Sequence, residues 1–221
     1  MSQSREIYCR MREMILSLDL APGERLNERR LETQFEGSRT PIRAALAQLE
    51  GEDLVRRDGR AWIVAPIDLT ELAALAEFRE PLEATAARLA CARASHADLA
   101  AIEAMLDSCG QATPREEWRR VGTAFHVEVA RLSGNPFLVK AIEAVMTRLS
   151  RTRWLEVSSE PSRERAWAEH RRILGLIRLN EPDEAAREAA SHVRGACDRL
   201  IRSINEHRQL LRASGFAVAA T

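Results

Sequence analysis

Two groups of residues in this 221-residue chain carry chemistry. The first lies in SRTPIRAALAQLE, residues 38–50. Arg39 and Arg43 stand four apart at the opening of a helical pattern, so they share a face. An arginine can bind guanine O6 and N7 through two N–H groups at once. Ser38 and Thr40 can bond phosphate, and a helix N-terminus itself favours an anion. The second group is dispersed: Arg79, His126, His170 and His192. Each falls on or beside the apolar stripe of a different helical pattern, so all four point inward. Buried polar groups must be satisfied together, and three imidazoles are a natural site for zinc or another divalent metal. Each ring also reads as an ordinary satisfied core histidine, and Arg79 as the partner of Glu83 one turn on. His96, at an exposed helix start, and His207, near the end of the last helix, carry no such reading.

The elements that must position these residues fall into two organisations. Residues 5–18, REIYCRMREMILSL, place Ile7, Met11, Met14, Ile15 and Leu18 on one helical face. Pro22 and Gly23 break that helix, and a short one follows over 27–35, with Leu31 and Phe35 one turn apart. EGS is the next break. The quoted stretch then opens with Ser38 or Thr40 as N-cap and Pro41 in the first turn, where its missing N–H costs nothing. Ile42, Ala45, Leu46 and Leu49 form the buried side, leaving Arg39 and Arg43 to reach outward. Two short strands around Asp58-Gly59 give a strong hairpin signal. Helix, helix, turn, helix and hairpin make a winged helix-turn-helix, whose second paired helix enters the DNA major groove.

APIDLTEL links this half to the next, and Asp68 with Glu71 fits a capping-box variant. Helices are expected over 69–94, 96–110, 115–133, 136–157, 162–179 and 183–212, with no strand alternation. The fold class is therefore mainly α: an N-terminal winged helix-turn-helix (1–67) and a C-terminal antiparallel all-helical bundle (68–221).

Composition narrows the function. The formal net charge is zero, so a nucleic-acid surface must be a local patch. The 33 basic residues are arginines except for Lys140. No apolar run approaches a membrane span, and the N-terminal MSQSREIYCRMREM has no signal-peptide core. Cys9, Cys91, Cys109 and Cys197 lie far apart and read as free thiols in a cytoplasmic protein.

Residues 7–65 resemble the DNA-binding domain of GntR-family bacterial transcription regulators. The matching stretches are LAPGERLNERRL, SRTPIRAAL and LEGEDLVRRDGRAWIVAP. The resemblance implies phosphate and base contacts at Arg29, Arg39, Thr40, Arg43 and the wing tip Gly59-Arg60. Three positions depart from the family pattern. Glu36-Gly37 stand where Gly-Val is usual, Ala44-Ala45 where a Glu is usual, and Ala61 where the wing carries a Gly. Residues 69–205 resemble the FadR C-terminal (FCD) effector domain, through FREPLEATAARLA, FHVEVARLSGNPFL, AEHRRIL and EAAREAASHV. Metal-binding members of that domain use an Asp and three His. The histidines correspond to His126, His170 and His192, but Gly122 stands at the position of the Asp. Glu169 precedes His170 and should face away from it, so it is not expected to replace the lost ligand.

These readings imply a homodimeric, ligand-responsive repressor that binds a double-stranded DNA operator and is released by a small carboxylate effector at Arg79. Either the three histidines hold a divalent metal such as zinc, or they and Arg79 bind the anion directly. A three-histidine metalloenzyme with an attached DNA-binding domain is the alternative, although no general base accompanies the histidines. A third reading is a structural DNA-binding protein with an inert buried site.

Overall fold

The computed structural model describes residues 2–110, 112–153, 155 and 159–219. The chain divides into two compact units, Met1–Leu69 with Asn205–Thr221, and Thr70–Ile204. The expected boundary after residue 67 lies close to this division. The last residues, expected in the helical domain, instead belong with the N-terminal unit. A short parallel pairing explains this: Ile67 opposes Val218 and Asp68 opposes Ala219. Ala217 N–H also donates to Pro22 O at 2.7 Å.

In the N-terminal unit, α1 (Gln3–Leu16) buries Ile7, Met11 and Ile15. α2 (Glu28–Gln34) starts at Asn27, whose side chain accepts from the Arg29 and Arg30 amides. α3 (Arg39–Gly51) has Ser38 as N-cap and buries Ile42, Ala45, Leu46 and Leu49, the expected face. β2 (Val55–Asp58) and β3 (Ala61–Val64) pair antiparallel, so Gly59-Arg60 is a two-residue hairpin loop. Gly59 has φ +60, which such a loop favours at its first position. β1 (Arg25–Leu26) adds a third strand beside β3. That strand has no periodic signal in the sequence, because two residues cannot show alternation.

The turn between α2 and α3 is closed by an unusual residue. Glu36 adopts φ +50, and the Gly37 amide donates to the Glu32 carbonyl at 3.1 Å. This is the long bond of a Schellman ending, whose left-handed position normally holds glycine. The glycine here stands one residue later, where an added Cβ would lie only 3.0 Å from Ile7 Cδ1. Glu36→Gly should therefore stabilise the unit by about 0.5–1 kcal/mol, the left-handed penalty less the entropy of a glycine. Thermal melting checks this, and a lower melting temperature would contradict it.

The helical unit contains α4 (Leu69–Arg93), α5 (His96–Asp107), α6 (Arg115–Leu132), α7 (Pro136–Leu149), α8 (Glu160–Arg178) and α9 (Pro182–Glu206). α10 (Arg208–Ala213) and β4 (Ile67–Asp68) with β5 (Val218–Ala219) complete the chain. Its core packs Trp118, Phe125, Trp167, Ile173 and Ile177, with the two indoles edge-on at 4.2 Å. Two expected helices depart most from the structure. The helix expected over 136–157 stops at Leu149, where Ser150 and Thr152 hydroxyls donate back to the Thr147 and Leu149 carbonyls. Residues 154 and 156–157 of that expectation lie outside the described residues. The helix expected over 183–212 is interrupted at His207, between α9 and α10.

Candidate functional site

Every residue expected to face DNA is exposed: Arg29 on α2, Ser38, Arg39, Thr40 and Arg43 at the start of α3, and Gly59 and Arg60 at the hairpin tip. Ser38 caps α3 by its backbone, but its hydroxyl makes no capping bond. It is thus left for another acceptor or donor.

The inward residues come together. Arg79, Glu83, His126, His170 and His192 are each no more than 5% exposed. One nitrogen from each of the three imidazoles can be chosen so that all lie within 4.8 Å of one another. α6 supplies His126, α8 His170 and α9 His192, each from the face that also carries core residues. Phe125 stacks on His170 at 4.1 Å between ring centroids.

Two of the rings face carboxylates. Ionised carboxylates only accept, so His192 Nδ1–H donates to Glu169 Oε2 at 2.7 Å. His126 Nδ1–H donates likewise to Glu83 Oε2 at 2.8 Å. A neutral His192 then has Nε2 as an acceptor, and its 3.2 Å contact with His170 Nε2 takes the proton from His170. Among the described residues, His126 Nε2 and His170 Nδ1 are buried without a hydrogen-bond partner. Carboxylates that hold one ring nitrogen and turn the other inward are the usual outer partners of metal-binding histidines. The orphaned Nε2 of His126 and the nitrogen donor set both suit a divalent metal.

The roles of three residues escape the sequence reading. The sequence offers Glu83 only as a partner for Arg79, but it pairs with Arg79 and accepts from His126 together. Glu169 does not approach as a ligand; it orients His192 and is held by Arg199 at 2.9 Å. Arg153, buried in the turn after α7, stands beside Gly122. A Cβ added at Gly122 would lie 3.4 Å from Arg153 Nη2.

Burial holds the His126 imidazole well below its ordinary pKa, and the nearby Arg79, Arg153 and His192 push the same way. His170 is lowered by burial too, then by His192, His126 and Arg153, with Glu83 opposing. Burial alone would raise Glu169, but hydrogen bonds from His192 and Arg199 outweigh it and lower its pKa. Both depressed histidines are neutral in the native protein near neutrality. Below the ordinary imidazole value of 6.5 the unfolded chain takes up protons that the native rings refuse. Stability of the metal-free protein should therefore be lost as pH falls through that value, by roughly 1 kcal/mol per pH unit for each ring. Urea unfolding between roughly pH 7.5 and pH 5 checks this, and a flat profile would contradict it.

No helix among the described residues is long and apolar enough to cross a membrane. Residues 3–64 match the bacterial regulatory proteins of the gntR family, and residues 74–195 match the FCD domain. The Nta operon transcriptional regulator of Aminobacter aminovorans is 30% identical over 195 residues, covering 86% of this chain and 91% of that protein. The regulator LutR of Bacillus subtilis is 26% identical over 220 residues, covering 89% and 100%. The solved structure of E. coli McbR/YncC shares the fold with a TM-score of 0.72 at 21% identity, covering 91% of this chain and 98% of that one. The metalloenzyme alternative finds no support among these relatives. The chain belongs to the GntR family of bacterial regulatory proteins, with an FCD domain following its winged helix-turn-helix, and is a DNA-binding transcription regulator rather than an enzyme.

Proposed function

We propose that this regulator is a homodimeric cytoplasmic repressor that leaves its operator when a small organic acid enters the helical unit. The reading head lies in residues 1–67 and the response in the helical unit that follows. The observation that carries the reading is the buried imidazole triad beside the Arg79–Glu83 pair. His126, His170 and His192 would hold a divalent metal such as zinc, with Glu83 and Glu169 orienting two of the rings. Three protein ligands leave a zinc ion with Lewis-acidic positions open to a carboxylate oxygen or water. Among the described residues Arg79 Nη2 is buried with no hydrogen-bond partner, so it can donate a charge-assisted bond to a carboxylate. An acid that binds one arrangement of the dimer better than the other shifts the balance between them and so lowers DNA affinity. Thermal shift with a panel of mono- and dicarboxylates, before and after chelation, tests this. Stabilisation by an acid that also releases operator DNA supports the reading, and no response to any acid opposes it.

At the DNA, Arg39 and Arg43 read bases, Arg29, Ser38 and Thr40 contact phosphate, and the Gly59-Arg60 tip supplies the wing contact. Arg39→Ala or Arg43→Ala should each cost about 1–3 kcal/mol of operator affinity and relax preference at one base pair. Gel-shift titration of both variants checks this. Unchanged binding would remove these arginines from base readout.

A further inference from the structure

The two arginines that open α3 are each held by a glutamate of α2. Arg43 Nε donates to both Glu28 carboxylate oxygens, at 3.0 and 3.2 Å, and its Nη2 lies 3.0 Å from Oε2. Arg39 Nε donates to Glu32 Oε1 at 3.1 Å. Glu28 and Glu32 are four apart on α2, and Arg39 and Arg43 are four apart on α3. The spacing places both pairs in register across the helix-turn-helix.

Glu28 occupies the Nε–Nη2 edge of the Arg43 guanidinium, and Glu32 holds the same side of Arg39 through Nε. The group is planar and carries five N–H donors in a fixed fork. A carboxylate at Nε and Nη2 leaves the end edge, formed by the two Nη nitrogens, for another planar acceptor. Guanine offers such an acceptor pair in O6 and N7. The carboxylate also restrains a long side chain before DNA arrives, so less freedom is lost on binding. Ordinary surface ion pairs contribute little and would simply be broken by phosphates. Here the members differ: Glu28 and Glu32 side chains are 23% and 28% exposed, Arg43 and Arg39 62% and 60%. The glutamates are the anchored ends and the arginines the presented ones.

We propose that Glu28 and Glu32 are positioning residues for base readout, each holding the side edge of a reading arginine so that its end edge meets DNA as a pre-oriented donor pair. The proposal rests on the reading of Arg39 and Arg43 as base-contacting residues. The same carboxylates repel DNA phosphates and so weaken sequence-independent binding, which is electrostatic. Both actions widen the gap between specific and non-specific affinity.

Selection from a random duplex library with the full-length protein would define the operator and the preferred base at each position. Glu28→Ala, Glu28→Gln and Glu32→Ala are then titrated on that operator, on its single-base variants and on an unrelated duplex, at one fixed salt concentration. Glu28→Ala should bind the unrelated duplex about two- to fivefold more tightly. Its discrimination at the base pair read by Arg43 should fall about tenfold. Glu32→Ala should do the same at the base pair read by Arg39. Glu28→Gln loses the charge but keeps an acceptor oxygen, so it should show the gain on unrelated DNA and retain most of the discrimination. Both position-28 variants lose the same charge from the first turn of α2, so a merely structural role would affect them alike in melting and in base preference. Equal strengthening on every duplex, with base preferences intact, would overturn the proposal. Failure of the underlying reading looks different: Arg39→Ala and Arg43→Ala would themselves leave base preferences unchanged.

Discussion

Replacing Glu83 with alanine should destabilise the helical unit by about 3–5 kcal/mol, the scale for removing one partner of a buried ion pair. Glu83 lies in the interior, paired with Arg79 four residues earlier on α4 and accepting from His126 Nδ1 on α6. Its loss leaves a buried guanidinium without its counter-ion and an imidazole N–H without its acceptor. The charge is the costly part, because arginine cannot shed its proton. Arg79→Met with Glu83→Leu removes both charges together and should cost far less, since a buried pair often does no better than apolar residues of similar volume. Urea unfolding of the metal-free single and double variants separates these cases, followed by fluorescence to which Trp118 and Trp167 contribute. A Glu83→Ala protein within about 1 kcal/mol of the parent would mean that the buried guanidinium has found another partner.

The second large effect is expected in metal binding. After exhaustive chelation the protein should take up zinc. His170→Ala should weaken that uptake by more than the roughly 10–100-fold that losing an outer partner costs. Gly122→Asp should act in the opposite direction. Its carboxylate would stand one turn before His126 on the same face and add a hard anionic ligand beside three imidazoles. A Cβ at 122 meets Arg153 Nη2 at 3.4 Å and the Trp167 ring at 3.5 Å, which are ordinary contact distances. The new acid also gains a cationic neighbour, so it is not buried alone. The same variant should bind a carboxylate effector less tightly, because it fills a coordination position and cancels positive charge near Arg79. Calorimetric titration with zinc, then with a small carboxylate, tests both directions. If neither the parent nor Gly122→Asp takes up zinc, the triad with Arg79 is a cationic pocket that meets the anion directly.

The winged head and the imidazole triad are legible in the sequence because each rests on helical spacing. Ile42, Ala45, Leu46 and Leu49 repeat on one side of α3, which places Arg39 and Arg43 on the other. Trp167, Leu174 and Ile177 repeat on α8, which carries His170 inward with them. What surrounds the triad is not legible, because those contacts join residues far apart in sequence. Glu83 reaches His126 across 43 residues, and Glu169 reaches His192 across 23. Arg153 is hidden differently: helical periodicity continues past Leu149, whereas hydroxyl bonds from Ser150 and Thr152 end that helix. The paired strands at 67–68 and 218–219 are too short to leave any pattern, so nothing in the sequence signals the return of the chain end to the first unit.

The proton arrangement among the three rings has a consequence for metal uptake as a chemical exchange. His126 and His192 commit their Nδ1 protons to Glu83 and Glu169 and so turn their Nε2 atoms inward. When all three rings are neutral, His170 alone presents a protonated Nε2, and among the described residues its other nitrogen is buried without a hydrogen-bond partner. Readying the triad therefore takes one tautomeric move within a single ring, from Nε2 to Nδ1, with no proton surrendered to solvent. Neutral imidazoles release no proton to the buffer when they take up a metal, whereas every thiol ligand must.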